Sequence, residues 1–288
     1  MIKIAISGAS GFVGNRLTQM FRDQGEVIVA LSRKDIASGD EKLCHLLEGC
    51  DALINLAGEP INKRWTKAYM QAIVDSRVQT TQRLVAAMGL MQRPPPIFIS
   101  TSGISAYQSQ GQYTEAEPGN ATDFMGELAH RWEAAALEAN HLGVRTLIFR
   151  FALVLGSTGG LLKQLLPPFK LGLGGVIGNG RQHFSWIHID DLVDCYRLAL
   201  DNPEMRGIYH LSAPHPVSNR DFTKALGRLL SRPTIFPLPV AVLQLLFGKG
   251  AEVMSSGQWV TSARLPDTGF AFKYPRIEDA LQQILTND

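Results

Sequence analysis

The stretch IKIAISGASGFVGNRLTQMFRDQ, residues 2–24, decides the fold. Ile2–Ile6 is an apolar run around one lysine and reads as a strand. Gly8-Ala9-Ser10-Gly11-Phe12-Val13-Gly14 follows at once, and Phe12–Asp23 then repeats apolar residues at helical spacing. A chain that turns sharply from strand into helix leaves free N–H groups and the positive end of the helix dipole at the turn. Glycine lets that backbone approach a diphosphate where a Cβ would obstruct it, and Gly14 lets the helix pack tightly on the strand. Gly8, Ser10, Gly11, Phe12, Val13 and Gly14 are therefore read as the diphosphate-holding part of a dinucleotide site. The spacing is Gly-x-x-Gly-x-x-Gly, not Gly-x-Gly-x-x-Gly, so the weight rests on its place between strand and helix.

The next strand, Val27–Leu31, ends in Ser32-Arg33-Lys34. A site for NAD(H) puts a carboxylate at this tip to accept the ribose 2′-hydroxyl. A 2′-phosphate would be repelled by a carboxylate and gripped by a guanidinium fork. Ser32, Arg33 and Lys34 thus point to NADP(H) as the cofactor.

Working outward, further strands are expected at Ala52–Leu56, Ile97–Ser100, Thr146–Phe151 and Ile208–Leu211. Helical patterns lie at Lys67–Met88, Phe124–Asn140 and Asp191–Leu200. The alternation predicts an α/β fold, a doubly wound parallel sheet of Rossmann type with helices on both faces. The short gap before Ala52 predicts an abbreviated third strand near Lys42–His45, which makes Ala52–Leu56 the fourth and Ile97–Ser100 the fifth. From Gly156 glycine and proline cluster, as in LPPFKLGLGGVIGNGRQ; helices are expected at Arg220–Leu230 and Arg276–Leu285. Residues 1–155, with about 183–212, are assigned to the dinucleotide-binding domain, and 156–288 to a smaller, partly interleaved substrate lobe.

Composition bounds the function. With 28 basic and 26 acidic residues the formal net charge is +2, and the short NKRW at 62–65 is no nucleic-acid footprint. A small-molecule substrate is expected, with no nucleic acid and no membrane as partner; an oligomer stays open. The apolar stretch 240–248 is too short to span a bilayer. Three cysteines without C-x-x-C spacing read as thiols in a reducing cytoplasm, and with seven histidines at no ligand spacing they predict no metal. A cytoplasmic location is expected.

Gly8-x-x-Gly11-x-x-Gly14, NLAGEP at 55–60, PPFKLGLGG at 167–175, GNGRQHFSWIHIDDL at 178–192 and Gly269 to Leu281 together resemble the extended short-chain dehydrogenase/reductases. More narrowly they resemble the atypical branch called the epimerase family, which carries a C-terminal domain of unknown function. The resemblance implies a Rossmann sheet with a C-terminal substrate lobe. It implies too that Leu56, Ala57 and Gly58 line the cofactor, and Glu59 beside them is placed there as well, orienting a ligand or acting as base. The wider superfamily uses Tyr-x-x-x-Lys for proton exchange. None of the six tyrosines is followed by a lysine four residues on, and Phe124 and Leu128 stand at the pair's positions.

Two residues are expected to replace that pair. Ser102 matches the serine that bonds the substrate hydroxyl, and Tyr107 follows it in a loop at the carboxyl edge of the sheet, where such folds bind ligands. Lys163, Arg181 and Gln182 are the candidate contacts for an anionic substrate such as a nucleotide sugar. His188 reads as a satisfied core residue, and Asp190 or Asp191 as the cap of the helix that follows. Two functions remain: an NADP(H)-dependent oxidoreductase or epimerase with a substituted acid/base, and a catalytically silent NADP(H) sensor.

Overall fold

Short runs of aliphatic and β-branched residues, separated by helical repeats, collapse into one sheet whose inner strands bury both of their faces. The computed structural model describes residues 1–109 and 111–286. The chain forms β1 (Lys3–Ser7), α1 (Phe12–Asp23), β2 (Val27–Leu31), α2 (Arg33–Ala37), α3 (Asp40–Leu47), β3 (Ala52–Asn55), α4 (Lys67–Asp75), α5 (Val78–Leu90) and β4 (Ile97–Gly103). It continues through β5 (Gln112–Tyr113), α6 (Phe124–Leu137), β6 (Arg145–Phe151), β7 (Leu153–Leu155), α7 (Gly160–Lys170), β8 (His183–Phe184), β9 (Trp186–His188), α8 (Ile189–Asp201) and β10 (Gly207–Leu211). There follow β11 (Val217–Ser218), α9 (Asn219–Leu229), α10 (Val240–Phe247), α11 (Ala251–Ser255), β12 (Trp259–Val260), α12 (Arg264–Asp267) and α13 (Ile277–Thr286).

The main sheet is parallel, in the order β10-β6-β4-β3-β1-β2. The chain leaves β1 for β2 on one side and then crosses to β3 on the other. The connections that leave the carboxyl ends of β1 and β3 run to opposite sides of this switch point, which is where such folds open a crevice. On one face Leu17 and Phe21 of α1 and Leu192 and Tyr196 of α8 pack on Ile4, Ile6 and Phe149. On the other, residues of α3, α5 and α6 such as Leu47, Leu84 and Ala136 pack on Leu53, Phe98 and Ile148.

The expected strand near Lys42–His45 is instead the helix α3. Leu43 and Leu47, four residues apart, are both buried, and Asp40 and Glu41 lie in its first turn, where negative charge suits the helix dipole. Ala52–Asn55 is consequently the third strand of the chain, not the fourth. The expected single helix over 67–88 breaks into α4 and α5 at Ser76 and Arg77. Ser76 Oγ turns back to donate to the Ile73 carbonyl and to accept the Glu59 N–H (2.9 Å), which brings the break under the loop after β3.

Neither Asp190 nor Asp191 caps α8. His188 does, its Nδ1 accepting the Asp190 N–H at 3.1 Å. That fixes the proton on Nε2, which donates to Gln283 Oε1 (2.8 Å), so His188 is the satisfied interior residue its sequence context suggests. Asp190 accepts from Arg16 of α1 (2.8 Å). Asp191 accepts the backbone N–H groups of Lys273 (2.7 Å) and Tyr274 (3.1 Å), and burial pushes its carboxyl up to about 6.

The lobe beyond the sheet has its own core, in which Leu162, Leu166 and Phe169 of α7 meet Phe222 and Leu226 of α9 and Leu281 of α13. It is joined to the sheet domain by the short ladder of β12 with β5.

Candidate functional site

The crevice is built from glycines that no other residue could replace in place. Gly8 has φ +73°, and a Cβ there would lie 2.7 Å from the Leu56 carbonyl oxygen. A Cβ on Gly14 would lie 2.1 Å from the Gly8 carbonyl oxygen. The turn is thus clamped between the start of α1 and the end of β3. Helix α1 opens after Gly11, in extended conformation and without a side-chain cap. Its first-turn N–H groups, Phe12 and Val13 among them, lack carbonyl partners within the helix and face the crevice end. Ser10, Gly11, Phe12 and Thr158 line one end of a groove of about 660 Å³ that continues along the flank of α1 past Asn15, Arg16 and Gln19 to Asp23, so only that end of it adjoins the turn. The uncapped amides, with the close backbone approach around them, fit a dinucleotide diphosphate.

Phe12 has a role its sequence position did not reveal. Added Cβ atoms on Gly156 and Gly159 would come within 2.8 Å and 2.5 Å of its ring. The glycine-rich segment after β7 therefore lies directly on Phe12, and α7 starts from there. The glycines of 156–160 are the signal that marked this contact.

At the tip of β2, Ser32 is committed to capping α2. Its Oγ accepts the Asp35 N–H, and Asp35 in turn accepts the Ser32 N–H (3.0 Å). Hydrogen bonds from Ser32 and Lys42 lower the Asp35 carboxyl to about 2. Arg33 and Lys34 remain exposed, as a 2′-phosphate site requires. Arg33 Nη1 reaches Glu59 Oε1 at 2.6 Å. The loop that carries Leu56, Ala57, Gly58 and Glu59 is pinned from beneath by Arg77, whose Nη2 donates to the Glu59 carbonyl (3.0 Å). A Cβ on Gly58 would sit 2.9 Å from that guanidinium. Burial lowers Arg77 to about 10.

Ser102 and Tyr107 come together in one network, but inside the protein rather than at the edge. Ser102 is 3% exposed and its Oγ donates to Glu133 Oε1 (2.7 Å). Glu133 is held by Arg150 through two bonds of 2.7 Å, a buried forked pair. Arg150 Nη1 also donates to the Tyr107 hydroxyl (2.7 Å). Burial works against the Arg150 charge, yet Glu133 outweighs it and the guanidinium pKa is raised.

Tyr107 itself is 0% exposed, and burial pushes its phenol up to about 12. Its hydroxyl lies 2.9 Å from His210 Nε2. Nδ1 of His210 faces the Thr261 carbonyl (3.0 Å), which can only accept, so the neutral ring favoured by burial leaves Nε2 as an acceptor that shares the phenol O–H with the carbonyls of Thr114 (3.0 Å) and Glu117 (3.1 Å). Glu115 closes the network, accepting from His210 N, Ser262 Oγ and Ala263 N. The expectation of Tyr107 as a phenol open to ligand at the sheet edge is not met, because its hydroxyl is engaged by Arg150 of β6, His210 of β10 and the carbonyls of Thr114 and Glu117. Tyr107→Phe is expected to cost about 1–3 kcal/mol of stability by leaving Arg150 and His210 short of a partner, with NADPH affinity unchanged. Urea denaturation and a binding titration check this.

The sequence reading did not single out Glu133, Arg150, Glu115 or His210 as site residues. Arg150 in LIFRFAL and Glu133 in RWEAAAL are charges inside apolar runs, which was the available signal.

A model of the NAD dependent epimerase/dehydratase family matches residues 4–211, and one of a domain of unknown function, DUF1731, matches residues 238–284. The chain belongs to the NAD dependent epimerase/dehydratase family. Within that family it is 37% identical to the Bos taurus epimerase family protein SDR39U1, over 99% of this chain and 100% of the relative. It is 33% identical to epimerase family protein SSP1921 of Staphylococcus saprophyticus, over 97% of this chain and 98% of the relative. Human SDR39U1 (isoform 2), solved with NADPH, superposes with a TM-score of 0.91 at 34% identity, covering 100% of both chains. A UDP-glucuronic acid 4-epimerase from Bacillus cereus gives a TM-score of 0.80 at 18% identity over 98% of this chain and 96% of that one, a likeness of fold alone.

In this member of the epimerase family, Phe124 and Leu128, expected from the sequence at the positions of the superfamily's tyrosine and lysine, belong to an apolar cluster. Leu128 is buried, and Phe124 meets Trp65 edge-on at 5.4 Å between ring centroids; Trp132 and Val253 pack in the same cluster. Lys163 is exposed on α7 and Arg181 is exposed in the loop before β8. Gln182 is half-buried, and its Nε2 is spent on the Ile177 carbonyl (3.1 Å), so it shapes that loop. Among the described residues no helix is long and apolar enough to cross a membrane.

Proposed function

We propose that this chain binds NADP(H) and is an oxidoreductase of the epimerase family acting on a small polar substrate without a tyrosine–lysine pair. The observation that carries the reading is the exposed Arg33–Lys34 tip of β2 beside an uncapped α1, together with the NADPH held by the human relative. When bound, the nicotinamide supplies or takes up hydride. The first-turn amides of α1 hold the diphosphate, and Arg33 and Lys34 hold the 2′-phosphate. Phe124, Leu128 and Trp65 offer no proton-exchanging group where the pair would stand. Ser102 and Tyr107 fix the end of β4 through Glu133 and Arg150, as positioning residues, and the proton that accompanies hydride transfer is exchanged with solvent. Lys163 and Arg181 are the cations for an anionic substrate, a nucleotide sugar being the family-level expectation.

The burial of both hydroxyls also favours a second reading, an NADP(H)-binding sensor. The test is to incubate the protein with NADPH and a panel of sugar nucleotides and carbonyl compounds. Nicotinamide absorbance is followed together with product analysis, because an epimerase regenerates its cofactor. Conversion of an anionic substrate is expected. Tight NADPH binding with no conversion across the panel overturns the enzyme reading in favour of the sensor.

A further inference from the structure

Arg33 and Glu59 come from different strand ends. Arg33 opens α2 directly after β2, and Glu59 lies in the loop after β3; β2 and β3 flank β1 on either side. Their side chains meet across the end of β1 at 2.6 Å. The partners are held unequally. Glu59 is 17% exposed and fixed along its backbone, its N–H donating to Ser76 Oγ and its carbonyl accepting from Arg77. Arg33 is 81% exposed and is the partner free to swing.

We infer that Glu59 is a selector between the two nicotinamide dinucleotides, working against Arg33. The inference rests on the NADP(H) reading of the site. The tip of β2 carries Ser32, Arg33 and Lys34 where a carboxylate would accept a ribose 2′-hydroxyl, and Asp35 is taken up by Ser32 and Lys42. Glu59 brings a carboxylate to the same place from across β1. A carboxylate accepts a hydroxyl hydrogen bond and repels a phosphate; a guanidinium grips the phosphate. A 2′-phosphate therefore takes Arg33 against the repulsion of Glu59. A 2′-hydroxyl takes Glu59 only when Arg33 gives way. Each residue masks the other, so removing one releases the partner for its own nucleotide. Discrimination between NADPH and NADH is thereby narrower in the natural chain than Arg33 alone would produce.

The prediction is a pair of opposite shifts, read as dissociation constants for NADPH and NADH by calorimetry on the full chain. Glu59→Gln is expected to tighten NADPH about fivefold and weaken NADH about threefold, the scale of one screened charge at a surface site. Arg33→Ala is expected to weaken NADPH more than about tenfold while NADH tightens. Arg33 is exposed, so this variant keeps the fold even where Glu59→Gln disturbs the loop; thermal melts of both separate misfolding from selectivity. Shifts of both nucleotides in the same direction, or no change in NADPH affinity on Glu59→Gln, overturn the selector while leaving the NADP(H) reading intact. A wild-type chain that binds neither nucleotide overturns that reading and the selector with it.

Discussion

Replacing Glu133 by Ala is expected to remove about 3–5 kcal/mol of folding stability, because it leaves the Arg150 guanidinium buried without its counter-charge. The loss is a large fraction of the about 5–15 kcal/mol that holds a domain together. Three contacts go at once: both forks of Arg150 and the bond from Ser102 Oγ. Arg150 has no exposed position to retreat to, being 4% exposed near the carboxyl end of β6. The double replacement Glu133→Leu with Arg150→Met is expected to recover much of the loss, since a buried pair exchanged for apolar residues is close to neutral. Urea denaturation of wild type, single and double variants measures this. A loss below about 1 kcal/mol on Glu133→Ala contradicts the network as described.

The second large effect is expected at Gly14. An alanine Cβ there meets the Gly8 carbonyl oxygen at 2.1 Å and the Ala9 Cα at 2.8 Å, both backbone atoms that cannot rotate away. The start of α1 must move off the turn, and the first-turn amides move with it. Two charge-assisted hydrogen bonds to a diphosphate are worth about 3–6 kcal/mol together, so NADPH binding is expected to weaken at least about a hundredfold. Stability falls by about 1–3 kcal/mol from overpacking. Titration of NADPH into Gly14→Ala beside wild type checks the first figure; equal affinities contradict the proposed cradle.

Much of this architecture is legible in the chain because it rests on local periodicity. The run Ile2–Ile6, the glycine turn and the helix from Phe12 are close in sequence and need no distant partner to be recognised. The same holds for Val27–Leu31 and its basic tip. Reading failed where two periods compete over a short span: DEKLCHLL at 40–47 is too brief for a strand or helix to be told from composition, and only the burial of Leu43 and Leu47 on one side decides it.

The interior site was harder to foresee. Ser102 and Tyr107 were found by their offsets from β4, but their partners lie 31 and 43 residues further on at Glu133 and Arg150, and 103 at His210. Such pairings follow from strand order, not from spacing. The Arg33–Glu59 contact is of the same kind, since it exists only because β2 and β3 sit on either side of β1.

The central claim is that the amides at the start of α1, with Arg33 beside them, receive a phosphorylated dinucleotide. Calorimetric titration of the folded wild-type chain with NADPH and with NADH tests it most directly. One NADPH per chain, bound more tightly than NADH, is the predicted result; a chain that releases no heat with either nucleotide, or that prefers NADH, contradicts it.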